Sequence, residues 1–132
     1  MRNVQSTLLY QWFENVWNRE DKDALHTLLT KEVRVHGLVS DAPVEGAPGF
    51  AMFYDNFKTQ FHNINVEIED VISQDDMEAA RTTVHAIHTE SKKDVHFTGI
   101  CMVKIENGKI AEAWNEFDFL SMYQQLGQNL TA

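Results

Sequence analysis

Twenty acidic side chains against eleven basic ones give this 132-residue chain a formal charge of -9. That balance repels phosphate backbones and anionic lipid surfaces, which argues against nucleic-acid and membrane-surface partners. A chain of this length fits one domain and buries roughly two-thirds of its unfolded surface, so it needs no disulfide or metal as a staple. The lone cysteine, Cys101, excludes an internal bridge. No run approaches the roughly eighteen apolar residues of a membrane span. Nothing behind Met1 reads as a signal segment, so the expected compartment is the cytoplasm.

In chain order, Val4, Leu8, Leu9, Trp12, Phe13, Val16 and Trp17 recur at three- and four-residue spacing and predict a helix over about 3–17. Asn18 to Asp21 is a polar break with N-cap candidates, and Ala24, Leu25, Leu28 and Leu29 predict a second, shorter helix. Val33 to Gly37 reads as a brief strand, and the stretch to Gly46, with Ser40, Asp41 and Pro43, as a loop. Pro48 suits the first turn of a helix whose apolar face is Phe50, Phe53, Tyr54, Phe57 and Phe61. The period then changes. Val66, Ile68 and Ile72 predict a strand broken at Ser73 to Asp76, and Ala79 to Thr89 another. Leu120, Tyr123 and Leu126 predict a closing helix ended by Gly127. Helices gathered before strands indicate α+β architecture.

Asn107-Gly108 between two β-rich runs fits a type I′ hairpin turn, which needs positive φ at both central residues. It joins strands over about 95–106 and 109–118. Counting outward from Glu106 opposite Lys109 sets Cys101 opposite Trp114, Gly99 opposite Glu116 and Phe97 opposite Asp118. One face then carries Phe97, Gly99, Cys101, Val103, Glu112, Trp114, Glu116 and Asp118. The other carries Thr98, Ile100, Met102, Ala111, Ala113, Asn115 and Phe117. Both hold large apolar side chains, so the expectation is a cavity on the first face and a homodimer contact through Ile100, Met102 and Phe117 on the second.

The segments Phe97-Thr98-Gly99-Ile100, Glu106-Asn107-Gly108-Lys109-Ile110, Trp114-Asn115-Glu116-Phe117-Asp118 and Gln125-Leu126-Gly127 together resemble the SnoaL-like polyketide cyclase family of the NTF2-like superfamily. Asn18, Val35-His36, the Gly46 to Phe50 stretch and Arg81 also sit where relatives of that family carry similar residues. The resemblance spans nearly the whole chain and implies a single domain over 1–132. Its fold would be an NTF2-like cone, a strongly curved, mostly antiparallel sheet wrapped around N-terminal helices with an internal pocket. It further implies an aspartate at Asp118 acting as acid/base in an intramolecular aldol closure, with no metal or cofactor. Cys101 falls where those cyclases carry a histidine beside the aspartate. Glu90 and Ser91 stand in the region where a glycine usually follows the histidine resembling His88.

The chemistry asks for such a carboxyl group, because one base can take the proton of a carbon acid and return it to the new alkoxide. Asp118 and His36 are the catalytic candidates. Phe97, Cys101, Trp114, Glu116, Tyr54, Trp17 and His88 are the candidates to line the site. An aspartate at the start of a helix also serves as a plain N-cap. The scattered histidines form no metal-binding motif. Asp70 is expected to pair with Arg81, and the strand faces do not bring that pair to Asp118, as epoxide hydrolysis would need. Two function classes result. One is a cofactor-free acid/base enzyme on a small hydrophobic carbonyl compound, by aldol closure or isomerase-like proton transfer. The other is a non-catalytic module that binds a small ligand or dimerises.

Overall fold

The computed structural model describes residues 4–38 and 42–127. After a 3₁₀ turn at Val4–Ser6, Thr7 caps α1 (Leu8–Gln11) by accepting from the Tyr10 amide. The helix continues as a π-helical stretch over Trp12–Asn18, where the sequence spacing had indicated ordinary α-helix. The i→i+5 bonding of a π turn widens the coil. Trp12, Phe13 and Val16 are buried there, and Trp17 stays half-buried. Asp21 caps α2 (Lys22–Leu28) through the Ala24 amide, as the polar break suggested.

Strand β1 (Leu29–His36) follows α2 with no loop, earlier than Val33. A short β2 (Val44–Glu45) pairs with it inside the stretch read as loop, whereas Ser40 and Asp41 lie outside the described residues. Helix α3 (Gly46–Gln60) buries Ala47, Phe50 and Tyr54. Then come β3 (Phe61–Gln74), β4 (Met77–His88), β5 (Asp94–Glu106), β6 (Lys109–Phe117) and α4 (Phe119–Gln125). The six strands form one sheet in the order β2-β1-β6-β5-β4-β3, antiparallel except for β1 with β6. The helices pack on its concave face. The architecture is therefore α+β of the NTF2-like kind.

The Asn107-Gly108 hairpin forms as expected, with φ of +53° and +78°. Its register does not stay on the simple count. Glu106 faces Lys109 and Ile105 faces Ile110, but Lys104 faces Glu112, so Ala111 is an extra residue on β6. A one-residue bulge moves every later side chain to the opposite face. Cys101 is opposite Asn115 instead of Trp114, and Gly99 is opposite Phe117 instead of Glu116. Ala113, Asn115 and Phe117 thus join the inner face, while Glu112, Trp114 and Glu116 turn outward. The physical reason is desolvation, since the unbulged register would place the carboxylates of Glu112 and Glu116 against an apolar core. Gly99 fits this arrangement closely. A Cβ there would stand 2.2 Å from Phe117 Cδ1, so the ring lies across the bare glycine.

Side-chain amides complete the ladder where a neighbouring strand is missing, and one carboxylate caps a helix start. The Asn18 amide brackets Val66, with Oδ1 accepting from the Val66 N–H at 2.6 Å and Nδ2 donating to its carbonyl at 3.0 Å. This lies beside the bulge between His62 and Asn65, where Asn63 has φ of +51°. Gln125 does the same for His96, accepting at 2.9 Å and donating at 2.7 Å, just past the last paired residues of β6. Buried Glu78 accepts from the Leu8 and Leu9 amides and so ties the start of α1 to β4. A carboxylate is favoured there by the partial positive charge of the helix start. Replacing Asn18 with Ala leaves both backbone groups of Val66 without a partner. Asn18→Ala is expected to lower unfolding free energy by about 1–3 kcal/mol, read by urea denaturation.

Candidate functional site: an apolar cavity under the curved sheet

The inner face of the sheet, the π-helical stretch and α3 enclose a cavity of about 70 Å³. Trp12, Phe13 and Trp17 contribute from the first helix and Phe50, Phe53 and Phe57 from α3. The floor is Val84 of β4, Phe97, Cys101 and Val103 of β5, and Ile110, Ala113, Asn115 and Phe117 of β6. Leu29, Val35, Leu38, Ile64, Val66 and Phe119 complete the wall. Aromatic rings touch in series around it. Phe53 and Phe57 stack at 6.0 Å, Trp17 meets Phe57 edge-on at 5.7 Å, and Phe97, Phe117 and Phe119 form a triad with centroids 5.8–6.3 Å apart. Such edge-on and stacked contacts set how the rings pack around the space.

Of the residues singled out from the sequence, Trp17, Phe97 and Cys101 line this cavity. The others do not. Asp118 is the N-cap of α4, with Oδ1 accepting from the Ser121 amide at 3.0 Å, and its side chain is exposed although Phe117 and Phe119 on either side line the wall. The inward-facing carboxylate expected there is thus an outward helix cap, because the bulge at Ala111 shifts the end of β6. Glu116 is exposed and Trp114 half-buried, both on the outer face. His36 is on that outer face too, stacked on Trp114 at 5.7 Å and bonded through Nε2 to Glu112 Oε2 at 2.7 Å. Tyr54 is buried, but its hydroxyl donates to the Val16 carbonyl at 2.8 Å and ties α3 to the first helix. His88 packs on Phe61, and its Nδ1 accepts from the Ser91 amide in the β4–β5 turn. Phe117, expected in a dimer contact, belongs to the cavity instead.

Asn115 and Phe117 are what the simple register missed. The signal for them was present in the three carboxylates that the count placed on the greasy face. Asn115 is the single amide among the lining residues, whose other polar side-chain groups are the Cys101 thiol and the Trp12 and Trp17 indole N–H, and it is only 8% exposed. Its Nδ2 donates to the His36 carbonyl at 3.0 Å. Gly37 makes this approach possible. Its φ is +87°, and a Cβ would stand 2.0 Å from the Asn115 carbonyl oxygen. Asp70 and Arg81 pair as expected, at 3.0 Å, on the exposed face away from the cavity. Among the described residues no three His, Cys, Asp or Glu side chains converge as a metal site would require, and no helix is long and apolar enough to cross a membrane.

A family model described as SnoaL-like polyketide cyclase matches residues 7–126. No curated protein matches the sequence significantly. A candidate SnoaL-like polyketide cyclase from Jannaschia sp. CCS1 superposes with a TM-score of 0.84 at 17% identity, over 98% of this chain and 99% of that one. A candidate polyketide cyclase from Bacillus cereus ATCC 10987 gives 0.79 at 28% identity, over 91% and 78%. AclR from Streptomyces galilaeus, a candidate hydroxylase, gives 0.81 at 17% identity, over 95% and 85%. Relatives assigned to different reactions on one scaffold leave the chemistry to the site itself.

The Cys101 thiol is the one ionisable group in the wall, and complete burial pushes its pKa from 9.0 up to about 12. It is a neutral, inert thiol at physiological pH. In the unfolded chain it ionises near 9.0. The stability tied to keeping it protonated is therefore intact below that pH and is lost as pH rises toward 12. Cys101→Val should flatten this alkaline part of the stability curve relative to the parent, measured by urea denaturation at a series of pH values. Native protein should react with a thiol reagent at neutral pH far more slowly than the urea-unfolded chain.

Proposed function

This chain belongs to the SnoaL-like polyketide cyclase family, and on that footing we propose that it binds a compact, largely apolar molecule in the cavity beneath its sheet. The observation that carries this reading is the wall itself, aliphatic and aromatic with one amide, one protonated thiol and the indole N–H groups of Trp12 and Trp17 as its polar side-chain groups. Binding rests on removal of apolar surface from water, at roughly 25 cal/mol per Å². At about 70 Å³ the cavity is smaller than the roughly 300–1,000 Å³ of drug-sized sites. A ring-sized ligand is admitted by rotation of the half-buried Phe53, Phe57, Phe117 and Phe119.

Acid/base turnover of a carbonyl compound requires a titratable side chain within hydrogen-bond reach of the ligand, and the one in the wall, Cys101, is held neutral by burial. Asp118 serves that role only by leaving its cap, so the binding reading stands ahead of the enzymatic one. The two separate in one experiment. Ala113→Leu, which fills the cavity floor, is expected to weaken binding of a small aromatic probe such as toluene more than tenfold, followed by NMR titration. Asp118→Asn, which still caps α4, is expected to leave probe affinity within about twofold and unfolding unchanged. A carbonyl substrate whose turnover is abolished by Asp118→Asn would restore the enzymatic reading.

Two copies are proposed to pair through the outer face of the sheet. Ile72, Ala79, Met102 and Trp114 stand in one row across β3, β4, β5 and β6, beside Ile100. Ile72 is 74%, Ile100 55% and Met102 41% exposed. Arg34, Lys104, Glu112 and Glu116 flank the row with both signs of charge, which suits a self-complementary twofold contact. Sedimentation at micromolar concentration should give a dimer for the parent and a monomer for Met102→Glu; a monomeric parent removes the proposal.

A further inference from the structure

The cavity of an apolar-ligand binder needs no polar group, yet one is built into it. Asn115 is more than nine-tenths buried in the wall, and its orientation is settled by chemistry. The His36 carbonyl, 3.0 Å away, can only accept, so the Asn115 atom facing it is the nitrogen. The carbonyl oxygen, Oδ1, is then the atom left over. No donor reaches it among the described residues. Nor is it sealed in, because the one fully buried side-chain nitrogen or oxygen without a partner among those residues is Ser73 Oγ. Oδ1 therefore retains accessible surface on a residue that lines the cavity, with no donor from the described residues bonded to it. The mount is rigid on its other side, where Gly37 lets the end of β1 lie against the Asn115 backbone.

We infer that Asn115 Oδ1 is a specificity-determining acceptor, selecting apolar ligands that carry one hydrogen-bond donor, a hydroxyl or N–H, over those that carry only acceptors. This rests on the binding role proposed for the cavity. In a dry wall, an oxygen lone pair without a partner is costly, and a ligand donor relieves it. A ketone, aldehyde or ether oxygen sets lone pair against lone pair at the same point and leaves both unpaired. The site accordingly favours phenol-like or alcohol-like molecules of compact shape. The preference comes from one atom, since the Trp12 and Trp17 indoles of the wall carry donors only and Cys101 is a weak donor and acceptor, which leaves Oδ1 as its one strong acceptor.

The test uses the full chain and three probes of similar size, phenol, anisole and toluene, with dissociation constants from NMR titration. Dividing each affinity by the hydrocarbon–water partition coefficient removes the solvation difference between the probes. Corrected in this way, phenol should bind the parent about tenfold tighter than anisole or toluene, the yield of one hydrogen bond in a dry site. Asn115→Leu should erase that ratio while retaining toluene. Equal corrected affinities in the parent, or a phenol preference that survives Asn115→Leu, overturn the inference and leave the cavity as a binder. Failure of all three probes to bind overturns the binding role itself. If Asn115→Leu does not fold, the phenol to anisole ratio in the parent carries the decision alone.

Discussion

One extra residue in β6 organises the inside of this protein. Without the bulge at Ala111, strict alternation sends Glu112, Trp114 and Glu116 into the concave face and Ala113, Asn115 and Phe117 out of it. Burying those carboxylates without cationic partners costs several kcal/mol each. Leaving one residue of the ladder unpaired costs far less, because Ala111 is only half-buried and near the hairpin end. The bulge therefore wins, and what it delivers is an apolar floor with a single amide in it. The same slip turns Asp118 outward, where it caps α4.

The curvature that leaves room for a cavity has to be maintained where strands diverge and the ladder fails. Asn18 and Gln125 each present one donor and one acceptor to a single residue, which is what a neighbouring strand would have supplied. Glu78 anchors the first helix to the sheet from below through two amides. These contacts join elements far apart in the chain at points where a backbone group would otherwise be stranded. They leave the aromatic rings free to line a space instead of bearing the job of closing it.

A wall of rings with one amide is suited to holding a ligand by shape and solvent exclusion. Charge is concentrated elsewhere, on the convex face, where His36, Glu112 and Trp114 form a stacked and hydrogen-bonded group. The two faces of the sheet thus differ in kind. The concave one is apolar and lines the cavity, and the convex one carries mixed charge around exposed Ile72, Ile100 and Met102. Relatives with the same scaffold are assigned both cyclase and hydroxylase chemistry, so a shared fold and a dry cavity do not themselves specify a reaction.

Local pattern sufficed wherever the cause was local. The amphipathic periods marked the helices, the Asn107-Gly108 pair marked the hairpin through its need for positive φ, and alternation along β5 put Phe97, Gly99, Cys101 and Val103 on one buried face. The family motifs from Phe97 to Gly127 were equally legible, and with them the NTF2-like architecture. Tertiary structure alone decided the rest. The π turn of the first helix depends on what packs against Trp12 and Trp17, and the bulge at Ala111 depends on which side of the finished sheet is dry. A strand counted by itself has no knowledge of that dryness, since the cost of burying a carboxylate exists only after other elements have excluded the water.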